Sequence, residues 1–164
     1  MQFVADGMLG SLSRWLRMMG QDVEYSTLLD DDQILALAKV EGRILLTRDL
    51  ELYKRANAKR IDAFYVEGKN EADRLTALAG RFGLGLEINL RNSRCPKCNS
   101  PIQPAPKMCV VDRVEKKTFT YYDEFWECPK CKKVYWQGAH WPKIQATLED
   151  AKKRVRLAKV RLVE

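Results

Sequence analysis

Two Cys-x-x-Cys pairs constrain this chain more than any other feature. Cys95-Pro96-Lys97-Cys98 and Cys128-Pro129-Lys130-Cys131 are separated by 29 residues. Each pair can place two thiolates on one side of a tight knuckle, and two knuckles close a tetrahedral site of four sulfur ligands. Zn²⁺ suits such a site, because its filled d-shell imposes no geometry and thiolates are good borderline-soft donors. The reading is a structural zinc ribbon liganded by Cys95, Cys98, Cys128 and Cys131. Two disulfides or a mononuclear iron site are the other readings, and disulfides need an oxidising compartment. The start, Met1-Gln2-Phe3-Val4-Ala5-Asp6, lacks the basic leader of a signal peptide, and no apolar run has the length to cross a bilayer. A cytoplasmic chain with reduced cysteines and no membrane partner is therefore expected. Cys109, the fifth cysteine, reads as a small buried hydrophobe.

The length of 164 residues suits one domain of ordinary size plus a metal-stapled module too small to hold a core alone. The expected division is residues 1–90, an α/β domain; 91–142, the ribbon; and 143–164, a basic amphipathic C-terminal helix. Charge follows the same division. Residues 1–90 carry 12 Lys/Arg against 14 Asp/Glu, residues 91–142 carry 10 against 5, and residues 143–164 carry 7 against 3. A mildly acidic part is joined to a basic arm. Such asymmetry suits a polyanionic partner, although a lysine-rich solvated surface gives the same numbers.

Strand and helix signals alternate over the first 90 residues. Phe3-Val4-Ala5 is a short apolar run, after which Met8, Leu9, Leu12, Trp15, Leu16 and Met19 recur at helical spacing up to Gly20. Asp22-Val23-Glu24-Tyr25 reads as a second strand. Asp30, Asp31 and Asp32 precede an apolar-faced helix that Gly42 ends, an acidic first turn that the helix dipole favours. Arg43-Ile44-Leu45-Leu46-Thr47 reads as a buried strand, followed by a helix from Leu50. A strand from Ile61 to Val66 and a helix ending at Gly83 complete the series. This order predicts a mostly parallel sheet with helices on both faces. The later residues read differently. Val110-Val111-Asp112-Arg113-Val114 and Thr118-Phe119-Thr120-Tyr121-Tyr122 are β-rich and predict a hairpin between the knuckles. From Lys143, Ile144, Leu148, Ala151, Val155, Ala158 and Leu162 mark one apolar helical stripe.

Carboxylates are the second chemical signal. Asp6 and Asp49 fall at C-terminal strand ends, where α/β sheets collect groups meant for chemistry. Converging carboxylates repel one another unless a cation neutralises them, and Mg²⁺ or Mn²⁺ takes oxygen ligands while positioning a phosphodiester and a water. Each aspartate also has a plainer reading as a helix cap: Asp6 before the first helix, Asp30 to Asp32 before the second, Asp49 before the third. Arg14, Arg17 and Arg48 are candidates for phosphate contact, with salt bridges to the same carboxylates as the alternative.

Three motifs carry a resemblance. Phe3-Val4-Ala5-Asp6-Gly7-Met8-Leu9-Gly10, with Ser13-Arg14-Trp15-Leu16-Arg17 behind it, resembles the opening of the Mut-seven C-terminal ribonuclease-like family, a branch of the PIN-like nucleases. Leu45-Leu46-Thr47-Arg48-Asp49 is similar to that family's Leu-Leu-Thr-Arg-Asp segment. The two cysteine pairs and Tyr135-Trp136-Gln137-Gly138-Ala139-His140-Trp141 are similar to its appended zinc ribbon and tail. The resemblance implies a PIN-like α/β fold and metal-dependent RNase activity. Its acidic site would be Asp6, Asp31 and Asp49, with Asp31 open to a shift of one within its run. PIN-like nucleases often use a fourth acidic residue, for which Asp32 and Glu51 stand nearest.

His140, the single histidine, follows the second knuckle and is expected to pack near Trp136 and Trp141 rather than to ligate. Most of Trp126, Trp136 and Trp141 are expected to pack within the ribbon rather than to stack on bases. The leading functional reading is a ribonuclease using Mg²⁺ or Mn²⁺, with the basic ribbon holding RNA. The rivals are an inactive module that docks on RNA or a ribonucleoprotein, and a protein-protein adaptor or homodimer joined through the C-terminal helix.

Overall fold

In the computed structural model, which describes residues 1–161, β1 (Gln2–Ala5), β2 (Asp22–Tyr25), β3 (Ile44–Thr47) and β4 (Ala63–Tyr65) alternate with α1 (Gly10–Met18), α2 (Asp31–Glu41), α3 (Leu50–Ala58) and α4 (Glu71–Phe82). All four strands are parallel, in the order β2-β1-β3-β4. Parallel pairing requires a crossover between strands, and α1, α2 and α3 supply the three. The side-chain period of two then sorts the apolar residues. Phe3, Ala5 and Leu46 face α1 and α4 with Leu12, Leu16, Leu75 and Leu78. Val4 and Leu45 face α2 and α3 with Ile34, Leu35, Leu52 and Ala56. Burial on both faces explains why the strands read as apolar runs rather than alternations.

Local chemistry sets the helix ends. Asp30 caps α2 by accepting from Gln33 N, while the Gln33 side chain accepts from Asp30 N, a reciprocal capping box. Gly42 ends α2 at φ 64°, a left-handed conformation that costs glycine little. Asp49 caps α3 as expected. Asp6 does not cap α1. Leu9 occupies that position without a side-chain bond, and Asp6 instead closes the preceding turn by accepting from Met8 N at 2.8 Å.

The cysteine-bearing segment adds a second sheet, β5 (Gln103–Ala105), β6 (Phe125–Glu127) and β7 (Val134–Tyr135), antiparallel in that order. The expected hairpin between the knuckles is absent. Lys107–Val110 is a 3₁₀ turn, and α5 (Lys116–Tyr121) is a short helix. β-propensity measures how well a side chain fits a pleated, half-buried surface. Here β6 takes β5 and β7 as its neighbours, so the intervening residues have no strand to join. Val110 instead drops into a small core with Ala105, Phe125 and Val134. Cys109 is exposed rather than buried, because the 3₁₀ turn commits its neighbour Val110 to that core. His140 is likewise exposed rather than packed; its carbonyl accepts from Ile144 N at the start of the last helix. Trp126 packs beside the cysteines, and Trp136 lies tilted against Phe125 at 6.2 Å.

The last helix, α6 (Trp141–Arg161), does not stand apart as an arm. Its stripe lies on α4, with Leu148 and Ala151 fully buried in the same core as Leu75 and Leu78, and with Ile144 and Val155 at its margin. Arg154 pairs with Asp73 of α4 and with Asp150 of its own helix. The surface that a homodimer or adaptor would use is therefore largely covered within the chain. Ala158 is exposed, and Leu162 lies outside the described residues. Among those residues, no helix is long and apolar enough to cross a membrane.

Leu148→Ala should cost about 2–5 kcal/mol, the range for emptying a buried leucine site. Urea unfolding should show a lower midpoint at an unchanged slope. A loss below about 1 kcal/mol would mean that α6 is not part of the core.

Candidate functional site: a thiolate cluster on the sheet edge and a strand-end acidic crevice

The four predicted cysteines come together. Their sulfurs lie within 4.8 Å of one another, with Cys98 and Cys128 at 3.3 Å and Cys95 and Cys131 at 3.6 Å. Tetrahedral Zn–S bonds of about 2.3 Å place sulfurs about 3.8 Å apart, so the donor set and its size both fit zinc. Free thiolates this close would repel, and the protonation pattern shows it. Burial opposes ionisation of Cys98, but hydrogen bonds from Ser100 and the neighbouring thiols outweigh it and bring this thiol to about 6. Burial and the contact with Cys98 push Cys128 up to about 12. Burial also raises the Tyr135 phenol, which stays protonated and can donate to Cys95 Sγ at 3.0 Å. Such outer partners orient thiolate ligands.

The two knuckles share one geometry. Cys95 N donates to Ser100 O, and Cys128 N donates to Lys133 O. The residue four places after each first cysteine is left-handed: Asn99 at φ 68° and Lys132 at φ 64°. Asparagine tolerates that region better than most residues, and the first knuckle uses its side chain. Asn99 Oδ1 accepts from Val23 N at 3.1 Å, and its Nδ2 donates to Asp22 Oδ1 at 2.7 Å. Arg17, buried in α1, donates to Val23 O at 3.0 and 2.7 Å and to Pro96 O at 2.9 Å. The ribbon is thereby fastened to β2, the edge strand of the parallel sheet. Arg17 is a tie between elements, with its donors spent on carbonyls. Burial opposes Asp22 ionisation, but the Arg43 and Asn99 hydrogen bonds and the charges of Arg43 and Arg94 outweigh it. The Asp22 carboxyl is held below its usual range.

The second place lies at the C-terminal ends of β1 and β3. From β1 the chain goes outward to β2, then returns to the other side of β1 for β3 and β4. Ligand crevices of open α/β sheets form at such a reversal. Asp6 follows β1 and is 5 % exposed. Arg48 and Asp49 follow β3. Thr47 links the Asp6 carboxylate to the backbone of Asp49: its hydroxyl donates to Asp6 Oδ2 and accepts from Asp49 N. Arg48 N also donates to Asp6 Oδ2, at 3.1 Å. Asp49 Oδ1 accepts from Glu51 N and Leu52 N as the α3 cap.

Asp31 is placed differently. It sits exposed in the first turn of α2, and its carboxylate pairs with Arg55 at 3.3 Å, beside Asp32 on the same guanidinium. Among the described residues the cysteines form the one group of metal-ligating side chains tight enough to share an ion; Asp6, Asp31 and Asp49 do not converge to that degree. Arg48 Nη1 donates to Gly68 O at 3.1 Å and lines a groove of about 650 Å³ with Tyr65 and Glu67. Arg14 is exposed in α1. Glu67 stands at the end of β4, one residue after Val66 N bonds Thr47 O. The sequence reading passed over it, although the strand-end rule that selected Asp6 and Asp49 applies to it equally.

Stripping zinc with a chelator should release one ion per chain and lower the melting temperature, and Cys128→Ser should bind none; metal analysis and calorimetry check both. Asp22 gives a pH signature. Its folded-state pKa is depressed, so its contribution is present above its ordinary value of 3.8 and is lost as pH falls through the lower folded value. Asp22→Asn should therefore be less stable than the parent at neutral pH. The gap in urea midpoints should close below that value, and a gap independent of pH would contradict the assignment.

A family model described as Mut7-C RNAse domain matches residues 1–148. No curated protein and no solved structure matches the chain. The match spans the parallel sheet, the strand-end crevice, the cysteine ribbon and the first turns of α6, and the chain belongs to the Mut7-C RNAse domain family.

Proposed function

We propose that this protein is a metal-dependent ribonuclease that hydrolyses RNA phosphodiester bonds at the β1/β3 crevice, in a cytoplasmic setting that keeps its cysteines reduced. One observation carries the reading: in a chain of a ribonuclease-like family, Asp6 and Asp49 flank the strand-order reversal and are tied together through Thr47. Their oxygen donors suit Mg²⁺ or Mn²⁺. Asp31 would join them on leaving Arg55, and Glu67 extends the same edge. A divalent cation there would neutralise phosphoryl oxygens and make a bound water more acidic.

The chain's own groups have separate roles. Thr47 fixes the rotamer of Asp6 and the start of α3. Arg48 and Arg14 offer donors to phosphate, and Arg48 is already anchored by its backbone N–H on Asp6 and by one guanidinium nitrogen on Gly68. Arg17 acts indirectly, by holding the ribbon in place. The exposed Lys153, Arg156, Lys159 and Arg161 of α6 add sequence-independent attraction for the backbone.

Purified protein should cut labelled RNA in Mn²⁺. Asp6→Asn and Asp49→Asn should each reduce the rate by at least about a hundredfold, and Thr47→Val by less, because it only orients. Equal cleavage by the Asp6 and Asp49 variants would identify a contaminant. A second reading, an RNA- or ribonucleoprotein-docking module without cleavage, is favoured by one feature: Asp6 spends both oxygens on protein donors while Asp31 is neutralised by Arg55. It expects RNA binding that survives EDTA and Asp49→Asn, with no cutting in Mn²⁺.

A further inference from the structure

Between α1 and the first knuckle lies a cleft of about 310 Å³ lined by Gly10, Arg14, Tyr25, Lys97, Lys133 and Tyr135. Arg17 and Pro96 complete the lining, and no carboxylate does. Among the described residues, Arg14, Lys97 and Lys133 have no carboxylate within salt-bridge range, and the cleft gathers all three. Three cations without a carboxylate partner on one concave surface attract a polyanion.

The aromatic walls are fixed. Tyr25 donates its hydroxyl to Gly7 O at 3.1 Å. It passes so close to α1 that a Cβ on Gly10 would meet the hydroxyl at 2.6 Å, so a larger residue there would push the ring aside. Tyr135 is held by its contact with Cys95 Sγ, and the Lys133 ammonium sits 5.8 Å from its ring centroid. Cationic groups alternating with aromatic rings are the pattern of a single-strand track, in which phosphates meet the charges and unpaired bases stack on the rings. The Tyr25–Gly7 bond sets one wall of the cleft beside the turn that carries Asp6.

We infer that this cleft is a binding track for single-stranded RNA, with Arg14, Lys97 and Lys133 on the phosphates and Tyr25 and Tyr135 under the bases. The track leads a strand toward Asp6. The inference rests on the ribonuclease reading for the identity of its ligand. It also gives the zinc a second task, because the metal orders both Lys97 and the Tyr135 wall.

The test is anisotropy of a labelled ten-nucleotide oligouridylate with the zinc-loaded protein in Mg²⁺- and Mn²⁺-free buffer. Lys97→Glu with Lys133→Glu should weaken binding at least tenfold and flatten the log–log salt slope by about 1.4, the value for two lost single-strand phosphate contacts. Lys116→Glu with Lys117→Glu makes the same charge change elsewhere on the ribbon and should weaken binding less than twofold. Lys97→Gln with Lys133→Gln, checked for zinc content, guards against misfolding and should give an intermediate loss. Equal effects of the cleft and control pairs would overturn the track, as would equally tight binding of a duplex of the same length. Catalysis does not enter this readout. A protein that binds through the cleft but never cuts would end the nuclease reading alone, and one that cuts with no dependence on Lys97 and Lys133 would end the track alone.

Discussion

The backbone of Val23 sets the relation between the two halves of this molecule. β2 is the edge of the parallel sheet, and an unpaired edge leaves peptide groups facing outward where other chains can add to them. Here the amide of Val23 goes to the Asn99 side chain, and its carbonyl takes two bonds from Arg17. The same guanidinium reaches Pro96 O in the first knuckle. A buried guanidinium left without acceptors would be strongly destabilising, so Arg17 permits one seating of the ribbon rather than several. The ribbon's own apolar core is only a few residues, so a metal on its four cysteines would supply much of its stability.

This chain of dependence separates structure from chemistry. A zinc ion on Cys95, Cys98, Cys128 and Cys131 would have four protein ligands and thus no vacant position for a substrate. Its contribution would be indirect, because the cysteine knuckles carry Asn99 and the Pro96 carbonyl to the sheet edge and Lys97 and Tyr135 to the cleft beside α1. The reacting groups under the proposed function lie at the β1/β3 reversal, where Thr47 serves as both donor and acceptor. Tyr25 touches both places: it lies in β2 two residues after Val23, forms a wall of the basic cleft and bonds the turn after Asp6.

Much of the α/β part was legible because burial on both sheet faces leaves a strong mark: runs such as Ile44-Leu45-Leu46 separated by amphipathic helices with acidic starts and glycine ends. The ribbon ligands were legible because two Cys-x-x-Cys pairs in one chain match the spacing of paired metal knuckles. Failures came where a local rule met a tertiary choice. Thr118 to Tyr122 has strand propensity but no strand to join, and became a helix. Cys109 has an apolar character, yet Val110 took the buried place. Arg17 reads like Arg14 in the sequence, and only burial against the knuckle distinguishes a tie from a free cation. Asp31 belongs to an acidic run whose partner, Arg55, lies 24 positions away, beyond any local signal. Glu67 was missed because a single carboxylate after a strand is common.

By itself, the sequence determined the strand and helix order of residues 1–83, the parallel sheet, the gathering of four cysteines and the basic balance of the C-terminal half. These depend on short-range periodicity, on cap chemistry and on ligand spacing, all written within a few residues. The tertiary structure alone decided that the ribbon seats on the β2 edge, that the stripe of α6 is spent on α4 rather than on a partner, and that Arg14, Lys97 and Lys133 share one cleft. Each of those outcomes depends on which distant group satisfies a buried donor, acceptor or apolar face, and such pairing is settled only when the whole chain has packed.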